Sequence, residues 1–221
     1  MLTKPHSPIA REGWVPLTAL FAVGVILWHW LGALASLPLW VLFGTALYLF
    51  RDPPRRVPAL PLAVVSPIHG TVVEVCDTYD PWLDRPAIRA RLRMAAKEIY
   101  SVRSPIEGKI VRHLVGPNRE GDDNPRAYVF WIQTDEGDDI ILDLRLKRFP
   151  ARLRCYAHPG ERVGQGQRCG YLFFGGTVDL YMPANSRVDL QAGQRVQGGS
   201  EIIAHLIHKE PVSVATPLQA A

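Results

Sequence analysis

The sequence predicts a mostly β domain preceded by an α-helical membrane hairpin, and three observations lead there. From Trp14 to Phe50 no Asp, Glu, Lys or Arg occurs. Beyond Pro58 the apolar residues fall into short runs that alternate with polar ones. Nineteen prolines and eighteen glycines punctuate the chain, as turns between short strands require.

The apolar run exceeds the about 20 residues that one spanning helix needs and falls slightly short of two. The stretch GALASLP, with Gly32 and Pro38, divides it into two helices. Trp28, Trp30 and Trp40 flank that break, as aromatic residues do at a lipid–water boundary. Lys4 and Arg11 precede the run and Arg51, Arg55 and Arg56 follow it, so the positive-inside rule puts both ends in the cytoplasm. A signal peptide would be shorter and would end in a small-residue cleavage site; a helix pair buried in a soluble core is the third reading. RDPPRRVP, residues 51–58, ends the helical region because its prolines forbid continuation. Its arginines read as a juxtamembrane anchor or as contacts to anionic head groups, each worth about 1 kcal/mol. The expected organisation is a hairpin over 1–56 in the inner (cytoplasmic) membrane, a β-rich domain over 57–209 facing the cytoplasm, and a flexible tail over 210–221.

The strands are expected at TVVEV, KIVRHL, AYVFWIQT, DIILDLRL, RLRCYA, TVDLYMP and EIIAHLI. Helix formers in RPAIRARLRMAAKE suggest a minor helix over 85–98. YLFFGGTVDLYMP, residues 171–183, reads as a strand interrupted by Gly175 and Gly176, the mark of a bulge or a close backbone approach. Two local echoes occur: SPIHGTVVEV (66–75) with SPIEGKIVRH (104–113), and GERVGQGQ (160–167) with GQRVQGGS (193–200). Such strand starts and turns punctuate barrel-sandwich domains, but no lysine sits in a tight hairpin as a swinging-arm carrier needs.

Several chemistries find no support. A net charge of +4 lacks the dense basic face of a nucleic-acid binder. Cys76, Cys155 and Cys169 form no CxxC pair and read as small apolar residues. His205 and His208 are three apart in a strand-like segment and so face opposite ways. His69, His113 and His158 would need the fold to converge, and no metal site is expected. Asp135, Glu136, Asp138 and Asp139 around Gly137 lack the spacing of a calcium loop and read as a solvated turn. There is no Walker loop and no dinucleotide fingerprint.

Read in order, YLFRDPPRRVP, VVSPIHGTVVEV, IYSVRSPIEGKIV, DDNPRAYVFWIQT and RLRCYAHPGERVGQGQRCGYLFFGGTVDLYMP resemble the phosphatidylserine decarboxylase family in its short bacterial form, over roughly residues 10–206. The family's patterns at four of these places are FFRDPxRxxP, SPADG, VHVNRxP and FGS; DDNPRAYVFWIQT stands at its asparagine–glutamate–arginine region. The resemblance implies a pyruvoyl-dependent carboxy-lyase of phospholipid metabolism. In the family, the serine of FGS attacks the carbonyl of the preceding glycine, forming an ester. β-Elimination then splits the chain and leaves an N-terminal pyruvoyl group, with an aspartate and a histidine assisting. That carbonyl forms a Schiff base with phosphatidylserine and acts as an electron sink while carbon dioxide leaves.

This chain departs from the family at all three catalytic positions. Gly176 stands where the serine should be, His69 replaces the aspartate and Tyr100 replaces the histidine. Glycine has no β-carbon, hence no hydroxyl to attack and nothing to eliminate. Thr177 is the fallback nucleophile: a shift by one residue would make Gly176–Thr177 the scissile pair and yield a 2-ketobutyryl group. The flanks still match at Gly70, Arg103, Pro105, Gly108, Gly175, Asp179 and Pro183. The resulting expectation is a membrane-associated pseudoenzyme without the pyruvoyl cofactor, binding a membrane phospholipid or a protein partner in lipid synthesis. The alternatives are an active decarboxylase working through Thr177 and an interaction module with no lipid ligand. The sequence carries no signal for an oligomeric state.

Overall fold

The computed structural model describes residues 8–58, 60–95, 97–116, 127–146 and 152–207. Helices α1 (Arg11–Leu31) and α2 (Ala33–Leu49) form an antiparallel hairpin that turns at Gly32 alone, with φ 84°. Pro38, expected in the break, lies inside α2, in its second turn, where it forgoes one backbone hydrogen bond. Trp40 packs edge-on against Phe21, Trp28 and Phe43 at centroid distances of 5.7, 6.2 and 5.9 Å. Elsewhere the helices are apolar all round, with Val15, Trp30 and Leu34 exposed by 77, 81 and 89%. Such surfaces suit lipid rather than water. The 21 residues of α1 are long and apolar enough to cross a membrane, rising about 32 Å against a hydrocarbon layer of about 30 Å. The 17 residues of α2 rise about 26 Å.

Fourteen strands follow among the described residues: β1 (Ala63–Val65), β2 (Gly70–Asp80), β3 (Arg85–Met94), β4 (Ser101–Arg103), β5 (Gly108–Gly116), β6 (Ala127–Gln133), β7 (Asp139–Leu146), β8 (Arg152–Cys155), β9 (Arg162–Val163), β10 (Arg168–Phe173), β11 (Gly176–Pro183), β12 (Arg187–Val188), β13 (Arg195–Val196) and β14 (Ile202–His205). An eight-stranded sheet runs β13-β2-β3-β11-β7-β6-β5-β9, beside two three-stranded sheets, β1-β14-β12 and β4-β10-β8. All pairs are antiparallel. The expected tail over 210–221 and His208 lie outside the described residues.

The expected helix over 85–98 is instead β3 as far as Met94. Ala90, Leu92 and Met94 are buried in the core, while Arg89, Arg91 and Arg93 alternate onto the other face. That period of two serves pairing with β2 and β11, and Arg91 meets the buried Asp179 at 2.8 Å. Tertiary pairing overrides a weak local preference. Residues 171–183 are two strands in different sheets, not one interrupted strand. β10 pairs with β4 and β8, β11 with β3 and β7. Phe174 and Gly175 carry the chain between sheets, both left-handed, with φ 62° and 78°.

The sequence echoes are a pseudo-twofold in space. Val65 donates to the Pro105 carbonyl and Arg103 to the Pro67 carbonyl, each at 2.8 Å. Ser66 Oγ donates to the Ile68 carbonyl and Ser104 Oγ to the Ile106 carbonyl, at 2.8 and 2.7 Å. The Gly199 and Gly166 amides close the two arches on Ser66 and Ser104. A Cβ on Gly70 would lie 2.3 Å from the Arg93 carbonyl oxygen, and one on Gly108 2.3 Å from that of Gln133. The repeated glycine is therefore a demand of close strand approach.

The hairpin is locked to this domain by buried charge. Asp52 Oδ1 accepts from Arg103 at 3.1 Å, and its Oδ2 lies 3.4 Å from Arg168. Arg168 also pairs with Glu12 of α1 at 3.0 Å, and Tyr156 donates to the second Glu12 oxygen. Phe50 stacks on Tyr171 at 6.4 Å and meets Phe173 edge-on.

Denaturation of the full chain in detergent tests both the glycine demand and the buried charge pair. Gly70→Ala and Gly108→Ala each lose about 1–3 kcal/mol. Gly164→Ala, whose Cβ would lie 3.6 Å from its nearest neighbour, changes stability by less than about 0.5 kcal/mol. Asp52→Leu costs about 3–5 kcal/mol by leaving Arg103 buried and unpaired, and Asp52→Leu/Arg103→Met costs less than Asp52→Leu alone. Equal costs for the single and double variants would refute the pairing.

Candidate functional site

The positions singled out by sequence gather near the crossing from β10 to β11. Gly175 must be glycine twice over: its φ is left-handed, and a Cβ would lie 2.5 Å from the Met94 carbonyl oxygen. Gly176 opens β11, paired with Met94 on one side and Leu146 on the other. A Cβ there would lie 2.5 Å from the Arg145 carbonyl oxygen and 3.1 Å from Leu172 Cδ2. No side chain fits without a shift of the β7 backbone. The residues present therefore do not fit a pyruvoyl group, since position 176 has neither the atom that forms one nor the space for its precursor.

Thr177 points the other way. Along β11, Val178, Leu180 and Met182 enter the main core, whereas Tyr181 enters a small second cluster with Ala87, Val129 and Ile141. The period of two puts Thr177 on the face of Tyr181 and Asp179. There Asp179 is held by Arg91 and by Arg145, the latter at 3.0 Å, and Arg145 also pairs with Asp143 at 3.2 Å. Thr177 itself pairs across the sheet with Arg93 and Arg145. Its neighbours are guanidiniums, which are not bases.

Tyr100 sits on the core side, next to the crossing. Its carbonyl accepts from the Leu172 amide at 2.8 Å. Its ring lies 6.1 Å from Phe174 and edge-on to Tyr171 at 5.7 Å. With Phe50 and Phe173 these rings form an aromatic wall running from the crossing to the foot of the hairpin. Burial raises the Tyr100 phenol above its ordinary pKa, so it is a neutral hydroxyl at physiological pH.

His69 lies in the first arch, one residue before Gly70. Gly70 abuts Arg93 and Met94, and Met94 pairs with Gly176, so His69 stands about two strand spacings, roughly 10 Å, from Gly176. It is 6% exposed, and its Nε2 has no hydrogen-bond partner among the described residues. Burial pushes its pKa down to about 3, and the positive charges of Arg55, Arg103 and Arg51 add to that in the same direction. The imidazole is neutral. Arg55 is itself partly buried, and burial together with Arg103 lowers its pKa.

The remaining candidates stay apart. His113 packs on Phe130 at 4.4 Å and feels His158, and neither is among the charges acting on His69. Among the described residues no group of three or more His, Cys, Asp or Glu side chains could hold a metal. The acidic run makes the expected turn: Gly137 has φ 88°, Thr134 and Asp138 bond across it, and Asp139 accepts from Trp131 and Gln133. All three cysteines are free thiols. Sequence reasoning missed Glu12, Asp52, Arg168 and Phe174. Acids bracketing an uncharged run were the available signal for the first two.

Comparison with known proteins finds relatives over most of the chain. The family model described as phosphatidylserine decarboxylase matches residues 42–204. The phosphatidylserine decarboxylase proenzyme of Nitrosomonas europaea is 36% identical over 207 residues, covering 90% of this chain and 96% of the relative. That of Nitrosomonas eutropha is 35% identical over 208 residues, with 90 and 96% covered. That of Burkholderia vietnamiensis is 36% identical over 214 residues, with 93 and 99% covered. No solved structure matches. With the family model and relatives each spanning most of its length, the chain belongs to the phosphatidylserine decarboxylase family.

Proposed function

We propose that this chain is a non-self-cleaving member of the family, a pseudoenzyme that binds a membrane phospholipid at the cytoplasmic face of the inner membrane, alone or with a protein partner in lipid synthesis. One observation carries the reading: position 176 has no β-carbon, and the space a Cβ would take is occupied by the Arg145 carbonyl oxygen at 2.5 Å. The serine-to-glycine change and the tight strand approach agree with each other. Tyr100 and His69 support the same reading, because neither a neutral phenol nor an imidazole with a pKa of about 3 is an effective base near neutral pH.

Cleavage at Thr177 is the competing reading, and the alternation of β11 argues against it. Its hydroxyl shares a face with Arg91, Arg145 and Asp179, on the side of the sheet opposite to Tyr100. The Asp179 carboxylate is already engaged by two guanidiniums. Phospholipid binding is supported by the family, by the apolar hairpin, and by the aromatic wall that joins the hairpin to the crossing.

The purified full chain is expected as a single species of 24.7 kDa by intact mass, without a carbonyl-reactive N-terminus. Two fragments meeting near Gly175–Thr177 would refute the proposal. Gly176→Ser is expected to remain one chain and to lose about 1–3 kcal/mol, because the added atoms meet the β7 backbone; self-cleavage of this variant would show that the serine alone was lacking. His69 sets a pH dependence of stability. Its folded pKa of about 3 lies below the ordinary 6.5, so between those values the unfolded chain binds more protons than the folded one. Stability is then full above about pH 6.5 and falls as pH drops, by up to about 1.4 kcal/mol per unit. His69→Asn should flatten that slope in denaturation measured from pH 7 to 4.

A further inference from the structure

We propose that Arg55 and His69, with Arg51 and Arg103 around them, form a binding site for a phosphate group at the foot of the membrane hairpin. The proposal rests on the phospholipid-binding reading and gives it a ligand group and an address.

The first argument is a charge count. Four guanidiniums, those of Arg51, Arg55, Arg103 and Arg168, gather around two carboxylates, Asp52 and Glu12. Both Asp52 oxygens are taken, by Arg103 and Arg168, and both Glu12 oxygens, by Arg168 and Tyr156. Nothing remains for Arg55, which makes no hydrogen bond or ion pair among the described residues, and its Nε is shielded from solvent without a partner. An excess of positive charge in a partly buried place favours an anion.

The second argument is the orphaned imidazole. His69 is 6% exposed, and its Nε2 has no partner. Arg55 is the largest charge acting on it. The family pattern has an aspartate at this position, and a carboxylate there would balance the arginine from within. A neutral imidazole does not, and the one carboxylate that acts on Arg55, Asp52, is already shared by Arg103 and Arg168. A phosphate that accepts from the terminal N–H groups of Arg55 would supply a counter-charge beside the imidazole.

The third argument is location. Arg51 directly follows the hairpin, its guanidinium lying 3.7 Å over the Tyr48 ring of α2 and bonding the Tyr48 carbonyl. The cluster thus lies where the chain leaves the apolar layer, at the depth of lipid phosphates. A phosphomonoester from solution has the same chemistry, and the experiment separates the two sources.

The full chain is held in dodecyl maltoside, which contains no phosphate, and titrated with inorganic phosphate and with dihexanoyl phosphatidic acid. The His69 imidazole resonance is followed by NMR. Both probes are expected to move that resonance, and Arg55→Gln to weaken binding at least about 10-fold. Arg55→Lys should recover most of that loss, whereas Arg187→Gln, exposed on β12, should bind like the parent. Lipid binding about 10-fold tighter than inorganic phosphate assigns the site to a bilayer lipid, and equal affinities assign it to a soluble phosphate compound. A His69 resonance that neither probe moves, or an Arg55→Gln variant with undiminished affinity, overturns the proposal. An unmoved His69 on a chain of intact mass removes only this site; two fragments remove the non-cleaving reading whichever way phosphate binds.

Discussion

A single buried carboxylate, that of Asp52, fixes how the helical hairpin meets the β domain. One oxygen holds Arg103, in the second of the two arches, and the other reaches Arg168 at the start of β10. The Asp52 amide donates to the Pro8 carbonyl, tying down the residues that lead into α1. Arg103 in turn reaches the Gly166 carbonyl at 3.1 Å and lies against Gly199, so one guanidinium touches both closing turns of the pseudo-twofold. Buried ion pairs add little net stability against apolar packing, but they tolerate only one arrangement. The joint therefore combines the stacking of Phe50 on Tyr171 with a directional charge pair. The pseudo-twofold is broken here, because the position matching Arg103 in the first arch is Val65.

The crossing from β10 to β11 derives its shape from the same economy of space. Gly175 and Gly176 are each pressed against a neighbouring carbonyl, of Met94 and of Arg145. Leu172 and Tyr100 fill the core side, and the charge lattice of Arg91, Asp179, Arg145 and Asp143 fills the other. Position 176 carries no side chain, and the strands close over the place one would take. Phe174, strained at φ 62° and 44% exposed, caps the crossing beside Tyr100. Non-glycine residues hold such a conformation only where their surroundings over-determine it.

Local pattern made the hairpin, most strands and the paired arches readable, because each rests on residues close in sequence. The arches S-P-I-x-G carry their own bonds and their own glycine demand, and so repeat as text. β3 was misread because Ala, Leu, Arg and Met favour helix in isolation, while the partners that make ARARLRM a strand lie in β2 and β11. The sheet change at Phe174–Gly175 was invisible for a similar reason: a strand's text does not name its neighbours. The alternation of β11 did contain the facing of Thr177, but only the sheet's two packed faces say what it meets. His69 was legible as a substitution and not as an orphan, since Arg55, Arg103 and Arg51 reach it only through the folded foot of the hairpin.

Because β10 and β11 belong to different sheets, their connection bears almost no structural duty. β10 is secured by β4 and β8, β11 by β3 and β7, and the two strands share no backbone ladder. Severing the main chain between them would leave two pieces knitted together by backbone ladders already in place. The architecture therefore tolerates a nick at this peptide as a knot-free garment tolerates a cut thread at a seam. A scaffold with such a permissive joint can serve equally as one polypeptide or as two, with no redesign of the fold around it.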